Sequence, residues 1–262
     1  MNNLDLLNTE SAIGLYSYGQ SSPGQVLFSK FYSSVVDLLK QNNIEPTYIG
    51  AQGKGYSGKL TKIGGSSHRK LIKTDFSGIK VLSISANPTN SDEPAYDRFV
   101  SASISYLNAA KEILLCFVIN EYFIPIFSKE FDYILDYYIN NFDWDFGYAF
   151  SEEKDKNPEF YILNLDNGQL SEEEEKSLID WYSTSPEDRI TKIRDIFPYN
   201  LLNKKQIKTK ISNDFTFEEF IIQQSNISFK KLNKKDLYTL KIHNQSTVNL
   251  IRTKLKDTQI LV

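Results

Sequence analysis

Apolar side chains recur along this 262-residue chain with two spacings, either every second residue or every third and fourth residue. Strict alternation is clearest in residues 100–106, where apolar side chains alternate with serines, as in a half-buried β-strand. Residues 113–123 are almost wholly apolar, and periodicity alone does not separate a buried strand from a buried helical turn. The length and the β-branched and aromatic content of this run favour a strand. The predicted strands are 11–18, 46–51, 79–86, 100–106, 113–123, 160–165 and 237–243.

Spacings of three and four residues predict helices between these strands. The dipeptide Ser22-Pro23 is a typical helix start, since serine caps the first turn and proline fits the first helical position. This helix is expected to end at Asn42-Asn43. A second helix is predicted over 128–140. Its inward-facing residues are Phe131, Ile134, Leu135 and Tyr138.

Further helices are predicted in the second half of the chain. The pairs Ser171/Glu174 and Thr216/Glu219 have the spacing of a capping box, in which each side chain accepts a hydrogen bond from the backbone of the other residue. The other predicted helices of this half are 185–197, which is expected to end at Pro198, and 246–256.

The predicted strands and helices lack the regular alternation of a doubly wound sheet. The fold class is therefore predicted to be α+β, with a mixed, mainly antiparallel sheet or sheets packed with helices. The polar segment 151–158 is the best candidate for a boundary. A single domain over 1–262 with a long surface loop there explains the sequence equally well, and a two-lobed organisation is the alternative.

The composition is typical of a soluble globular protein, with 40% hydrophobic and 24% charged residues. No secretory signal and no apolar run of bilayer-spanning length is evident, so a cytoplasmic location without membrane contact is expected. The net charge of −3 is unevenly distributed: residues 121–188 carry 4 basic and 18 acidic side chains, and residues 189–262 carry 15 basic and 6 acidic ones. This asymmetry suggests charged recognition surfaces, although folding could intermix the segments.

The sequence GKGYSGKL at 53–60 reproduces most of a phosphate-binding loop. However, Leu60 occupies the position where a serine or threonine hydroxyl would hold magnesium. The following sequence, TKIGGSSHRK, shows no helical apolar pattern, so a hairpin or a mobile loop is predicted in place of a nucleotide site.

Residues that could carry catalysis or bind a metal are few. His68 and His243 have no second histidine or cysteine at ligand spacing. Cys116, the only cysteine, lies in an apolar run and is expected to be an inert core residue. We therefore predict no enzymatic activity, no cofactor and no metal site. An active site assembled from scattered residues stays open as a third hypothesis.

The triplet Asp143-Trp144-Asp145 has two interpretations. Its carboxylates could bind a metal, act as an acid–base pair or contact a cationic partner. Alternatively, Trp144 anchors a loop after a helix to the core and the aspartates are solvated, which is favoured because this spacing is common by chance.

Three lysine pairs occur in the basic C-terminal third, at Lys204-Lys205, Lys230-Lys231 and Lys234-Lys235. They could contact phosphates, so a nucleic-acid-associated protein is the alternative function. They equally fit a solvated surface, and no nucleic-acid-binding motif accompanies them.

The stretch RDIFPYNLLNKKQI at 194–207, after a helix containing WYSTSPEDRI, resembles a pattern in immunity proteins. These proteins are inhibitors encoded beside polymorphic toxins, such as the Rhs-type effectors of type VI secretion. The strand and helix at 11–42 and the closing LYTLKIHNQSTVNLIRTKLKDTQILV are similar to theirs.

The resemblance implies binding and neutralisation of a cognate toxin domain, without catalytic residues. An acidic surface can steer a basic toxin and speed its capture. The predicted partner-binding residues are Asp143, Trp144, Asp145, Glu152 and Glu153.

Overall fold

The computed structural model describes residues 8–20, 25–87, 98–165, 172–212, 215–233 and 236–262. In these ranges eleven strands form one sheet, and every pairing between its strands is antiparallel. The order across the sheet is β10-β11-β9-β8-β1-β7-β6-β5-β2-β3, with β4 also paired to β2. The strands are β1 Thr9–Ser17, β2 Tyr48–Gly53, β3 Tyr56–Ser57, β4 Thr61–Lys62, β5 Ile79–Ala86, β6 Val100–Leu107, β7 Glu112–Asn120, β8 Phe146–Glu153, β9 Tyr199–Asn203, β10 Ile227–Lys231 and β11 Leu237–Ile242.

Nine α-helices and a short 3-10 helix, Lys154–Lys156, accompany the sheet within the described ranges. The predicted α+β class with a mainly antiparallel sheet is thereby confirmed. The helices are α1 Gln25–Gln41, α2 Ser66–Lys73, α3 Lys129–Asn141, α4 Pro158–Leu163, α5 Glu172–Ser183, α6 Pro186–Arg189, α7 Lys204–Lys208, α8 Phe217–Ile222 and α9 Gln245–Leu255.

Helices pack against both faces of the sheet. Alternate residues of a strand point to opposite faces, and on β1 the residues Ile13 and Leu15 belong to a cluster with side chains of α1, α2 and α3. The intervening Ala12 and Tyr16 pack with α4 and α5. We call these faces front and back. Side chains of α7, α8 and α9 form a third cluster on the back of β9 and β11.

Strand β7 shows why the apolar run at 113–123 has no period. It lies in the middle of the sheet, and all nine of its residues are buried. Strand β6 is covered differently: the apolar residues predicted to alternate are buried, whereas Ser101, Ser103 and Ser105 on the back face are half-buried. Apolar and polar residues therefore alternate in a strand that is covered on one face, whereas a strand covered on both faces is apolar throughout.

Two predicted elements are wrong. The predicted strand 160–165 is the helix α4, which begins with a proline at its first position and ends at Asn164 in a left-handed conformation. The predicted helix 185–197 ends at Arg189, because Ile193 and Phe197 pack into different clusters, which a continuous helix would not allow. The conformation of both segments is therefore set by tertiary contacts.

Several elements were absent from the prediction, namely β8, β9, β10 and the helices α2 and α7. Helix α2 lies in the segment predicted to lack a helical pattern. Residues 151–153 belong to β8, and the 3-10 helix follows directly, so the polar segment 151–158 is not a long loop. The single domain over 1–262 stays a prediction. Three predicted features lie outside the described residues: the cap at Ser22-Pro23, Ser171 of the capping box Ser171/Glu174, and the pair Lys234-Lys235. The side chain of Glu174 is not described either.

Candidate functional site

The five predicted partner-binding residues lie at opposite ends of β8. The triplet 143–145 precedes the strand, and Glu152 and Glu153 end it. A strand advances about 3.4 Å per residue, so the two groups are more than about 20 Å apart. They therefore do not form one continuous surface.

The triplet is largely structural. Trp144 is buried, and its indole Nε1 donates a hydrogen bond of 2.8 Å to the carbonyl oxygen of Tyr138 in the last turn of α3. Asp145 Oδ2 accepts a hydrogen bond of 2.7 Å from the backbone of Tyr18, while Asp143 is exposed. Trp144 therefore anchors this loop to the core as predicted, whereas Asp145, which was expected to be solvated, is half-buried and holds the backbone of Tyr18.

Glu152 and Glu153 lie at the other end of the sheet, which we call the upper edge. Glu152 forms an ion pair of 3.2 Å with Lys156, and Glu153 is exposed. The loop after β7 also lies at this edge, since Glu121 donates its backbone hydrogen bond to Thr9, the residue paired with Glu153. The next two residues expose aromatic rings, Tyr122 and Phe123.

A cavity of about 220 Å³ lies on the front face, between α3 and strands β9, β11 and β10. Its α3 wall contains Asp132, Leu135, Asp136 and Ile139. This spacing of three and four residues places them on one side of the helix. The strand walls contribute Tyr199, Leu201, Ser228, Lys230, Leu232, Thr239 and Lys241.

Asp132 holds three elements together at the upper end of this cavity. Lys241 donates to both of its oxygens, at 2.8 and 2.9 Å, and the Tyr199 hydroxyl donates to Oδ1 at 2.6 Å. Lys241 and Tyr199 are cross-strand neighbours, and the ammonium group lies 4.8 Å from the ring centre. Burial and the hydrogen bond to Asp132 raise the pKa of Tyr199 far above its usual value. The tyrosine therefore stays a donor at physiological pH.

Asp136 lies one turn further along α3. Burial and the nearby Asp132 raise the pKa of its carboxyl, although Lys230 and Lys241 oppose this shift. Within the described part of the chain its carboxylate has no hydrogen bond or ion pair. Lys230 belongs to the opposite wall, on β10. The cavity thus combines an apolar floor with one carboxylate that is paired with Lys241 and Tyr199 and one, Asp136, that is exposed to solvent.

Exposed aromatic side chains continue from the cavity to the upper edge. Phe127 is 48% exposed and stacks on Tyr199, with ring centres 6.2 Å apart. Phe123 packs against Phe99 at 4.5 Å and keeps part of its ring in solvent. Tyr122, Phe123 and Phe127, which we call the aromatic rim, belong to the loop between β7 and α3.

The first residues of the stretch 194–207, which resembles immunity proteins, have structural roles. Arg194 is buried and donates through Nη1 to the carbonyl oxygen of Tyr161 at 2.6 Å and to Asn164 at 2.8 Å, at the end of α4. It also donates to the hydroxyl of Tyr148, and its guanidinium lies 3.6 Å from the Tyr161 ring centre. Asp195 pairs with Arg252 of α9.

Arg189 plays a similar part at the end of α5. It donates to the carbonyl oxygens of Trp181 and Tyr182, and its guanidinium lies 3.6 Å from the carboxylate of buried Glu112. Carbonyl groups at a helix C-terminus favour a cation. Both buried arginines therefore fix the ends of the back helices against the sheet.

The remaining candidates show no constellation of catalytic groups. His68 accepts from the backbone of Gly64 and hydrogen-bonds Tyr32, and His243 hydrogen-bonds Ser228. Cys116 is buried, and burial raises the pKa of its thiol well above the usual value. In the described ranges no three metal-ligating side chains cluster, and no helix is both long and apolar enough to span a bilayer.

The phosphate-loop-like sequence forms a hairpin, as predicted. Gly53 ends β2 and Tyr56 begins β3, so the turn falls at Lys54-Gly55. Gly53 has a φ of +152°, and a Cβ atom there would lie 2.4 Å from the carbonyl oxygen of Gly78. The glycine serves this close backbone approach. The next helix, α2, begins only at Ser66.

Folding partly intermixes the acidic and basic segments of the chain. Lys241 from the basic segment meets Asp132 from the acidic one. Among the lysine pairs, Lys204 and Lys231 both contact Asp236 at 3.3 Å. The charges of these lysines are therefore partly compensated on the surface.

Comparison with known proteins finds a similarity to a solved structure. No protein-family model matches the chain, and no curated protein is significantly similar in sequence. The fold is similar to a solved structure described as Pseudomonas aeruginosa T6SS protein PA0821, with a TM-score of 0.62 and 13% identity. The match covers 96% of this chain and 73% of that one. At this identity the similarity is one of fold.

The cavity was missed because its residues come from six separate elements, α3 and strands β1, β8, β9, β10 and β11. The signals available in the sequence were Asp132 and Asp136 one turn apart on a predicted helix, and Lys241 in a predicted strand. Strands β9 and β10, which carry the other wall, were not predicted.

Proposed function

We propose that this chain is a cytoplasmic immunity protein of a type VI secretion system, which binds and neutralises a cognate toxin domain and catalyses no reaction. The observation that carries this proposal is the shared fold, over 96% of the chain, with a protein described as a T6SS protein. The resemblance of residues 194–207 to immunity proteins points in the same direction.

The features of a partner-binding surface support this proposal. The aromatic rim exposes three large rings: Phe127 stacks on the cavity residue Tyr199, and Tyr122 and Phe123 lie further along the upper edge, where Phe123 packs against Phe99. Tyrosine, tryptophan and arginine are the residues that contribute most to tight interfaces, and buried aromatic anchors commonly fill pockets on the partner. We therefore assign toxin binding to the front face and the upper edge, which include Glu152 and Glu153.

Co-expression tests the function directly. A cell producing the C-terminal toxin domain of the effector encoded beside this gene is expected to grow only when this chain is also produced. A purified complex of the two proteins is expected to elute together in size-exclusion chromatography. Growth arrest despite soluble expression of this chain would contradict the proposal.

The surface assignment has a matched control. Replacing Phe127 and Tyr122 with alanine is expected to weaken toxin binding by roughly 30-fold or more, since each anchor typically contributes about 1–2 kcal/mol or more. Tyr182 is 70% exposed on the back helix α5, so Tyr182→Ala is expected to leave the affinity unchanged. If the Phe127 and Tyr122 replacement and Tyr182→Ala weaken binding equally in isothermal titration calorimetry, the assignment of toxin binding to the front face is wrong.

A further inference from the structure

The cavity beside α3 has the size of a side chain. Its volume of about 220 Å³ is below the range of roughly 300–1,000 Å³ typical of pockets that enclose drug-sized ligands. It opens between a helix and the outermost strands of the sheet, next to the aromatic rim. A protruding residue of a bound protein could enter it from this side.

The chemistry of the lining defines what such a residue should carry. The floor is formed by Leu15, Leu135, Ile139, Leu201 and Leu232, so it favours an aliphatic chain. Asp132 is already satisfied by Lys241 and Tyr199. Asp136 therefore offers a carboxylate that no other described residue holds.

Electrostatics at Asp136 favour an added cation. Its carboxylate reaches solvent and has no partner among the described residues, so a cation can approach it directly. Partial desolvation and the neighbouring Asp132 raise the pKa of this carboxyl despite Lys230 and Lys241. Lys230 on the facing wall is exposed, so its flexible side chain can move into solvent when another cation arrives. The exposed ring of Phe127 adds a surface that attracts cations.

We propose, on the basis of the proposed function, that the cavity receives a lysine or arginine side chain of the toxin, whose methylenes cover the leucine floor and whose charged group pairs with Asp136. This pair supplies an ion-paired anchor beside the aromatic rim. It also selects for a basic toxin surface: Lys241 is already paired with Asp132, so an acidic side chain in the same position would be repelled by Asp136 and have only the exposed Lys230 as a partner.

Two variants test this inference in the complex with the toxin domain. Asp136→Asn is expected to weaken binding by about 10- to 100-fold, the loss expected for a hydrogen bond to a charged group. Thr239→Phe fills the cavity while leaving Asp136 in place, and is expected to weaken binding at least as much. The controls are Asp180→Asn on α5 and Thr239→Val, which are expected to change the affinity less than twofold.

Failure of the inference and failure of the proposed function give different results. If the wild-type chain neutralises the toxin and Asp136→Asn binds it equally well, the proposed anchor is wrong and the function stands. If the wild-type chain binds no effector domain, the proposed function fails. A second measurement still tests whether the cavity binds a basic side chain.

That measurement uses a model compound in place of the toxin. N-acetyl-arginine methylamide is expected to shift the amide NMR signals of α3 and β10 in the wild-type chain and not in Asp136→Asn. N-acetyl-glutamate methylamide is the control of opposite charge. Equal shifts with both compounds, or shifts unaffected by Asp136→Asn, would overturn the assignment of a basic side chain.

Discussion

The Arg194 cluster on the back of the sheet and the Asp132 cluster on the front are built from similar residues in different surroundings. In the first, Arg194 is hydrogen-bonded to the Tyr148 hydroxyl and to the end of α4; in the second, Asp132 of α3 is hydrogen-bonded to Tyr199 and Lys241. Arg194 is only 4% exposed, whereas the side chains of Asp132 and Lys241 are 41% and 22% exposed. One cluster is enclosed by the back helices, and the other borders an open cavity.

The hydrogen bonds of the back cluster form an ordered chain. The Tyr16 hydroxyl donates to the carbonyl oxygen of Ile162 at 2.8 Å, so the 2.7 Å bond between Tyr16 and Tyr148 must be donated by Tyr148. Tyr148 in turn accepts from Arg194. Each hydroxyl thus has a defined role, and water has no access to replace a missing partner.

The difference shows that burial decides the role of such side chains: enclosed ones stabilise the fold, and exposed ones remain available for a partner. Removing one member of a buried charged network leaves other groups unsatisfied and costs several kcal/mol. An exposed ion pair contributes about 0–1 kcal/mol because water and salt compete with it. Substitutions in the two clusters should therefore separate stability from binding.

The largest effect is expected for Arg194→Met. This change leaves the carbonyl of Tyr161, the Asn164 side chain and the Tyr148 hydroxyl without their donor, so the free energy of unfolding should fall by about 3–5 kcal/mol. Urea denaturation followed by circular dichroism measures it. Lys256→Met removes an exposed cation on the surface and should stay within about 0.5 kcal/mol of the wild type. A loss below about 1 kcal/mol for Arg194→Met would contradict the structural role.

A smaller and pH-dependent effect is expected for Glu10→Gln. Glu10 is buried, neither of its oxygens has a hydrogen-bond partner among the described residues, and burial raises its pKa despite Arg98 nearby. A raised carboxyl pKa means that the folded chain holds this proton more tightly than the unfolded chain. Its contribution to stability is therefore present at low pH and is lost as the pH rises through the folded pKa.

The measurement is the free energy of unfolding between pH 4 and neutral pH. The free energy of unfolding of Glu10→Gln should decline less over this window than that of the wild type. At neutral pH the variant should be more stable than the wild type by roughly 1 kcal/mol. Glu153→Gln, on the exposed end of β8, is the control. Parallel pH profiles for wild type and Glu10→Gln would refute the prediction.

The smallest effect is expected for Asp132→Asn in the open cluster. Stability should fall by about 0–1 kcal/mol, because both partners of the ion pair reach solvent. The difference from the wild type should shrink further when salt is added, since ions screen exposed charges. Thermal unfolding with and without added salt measures this, with Asp37→Asn on the exposed side of α1 as the control. A loss of stability as large as that of Arg194→Met would contradict the proposed difference between the two clusters.

The candidate site was less predictable than the fold. The acidic character of residues 121–188 pointed to a charged surface, and Asp132 and Asp136 do belong to that segment. The five residues chosen from it, however, lie at both ends of β8, and Trp144 is buried. Charge along a chain does not reveal which carboxylates share a surface, because strand pairing decides which distant residues become neighbours.

The sequence by itself determined the elements whose two sides differ in polarity. The alternation of β6, the apolar face of α3 and the capping box at Thr216 and Glu219 are local patterns, and the structure has all of them. Only the tertiary structure decided that α4 is a helix and that β10 joins the sheet, since both are short segments stabilised by distant neighbours. The cavity belongs to the same class: its walls are separated by about a hundred residues, and only the pairing of β11 with β9 brings Lys241 to Asp132.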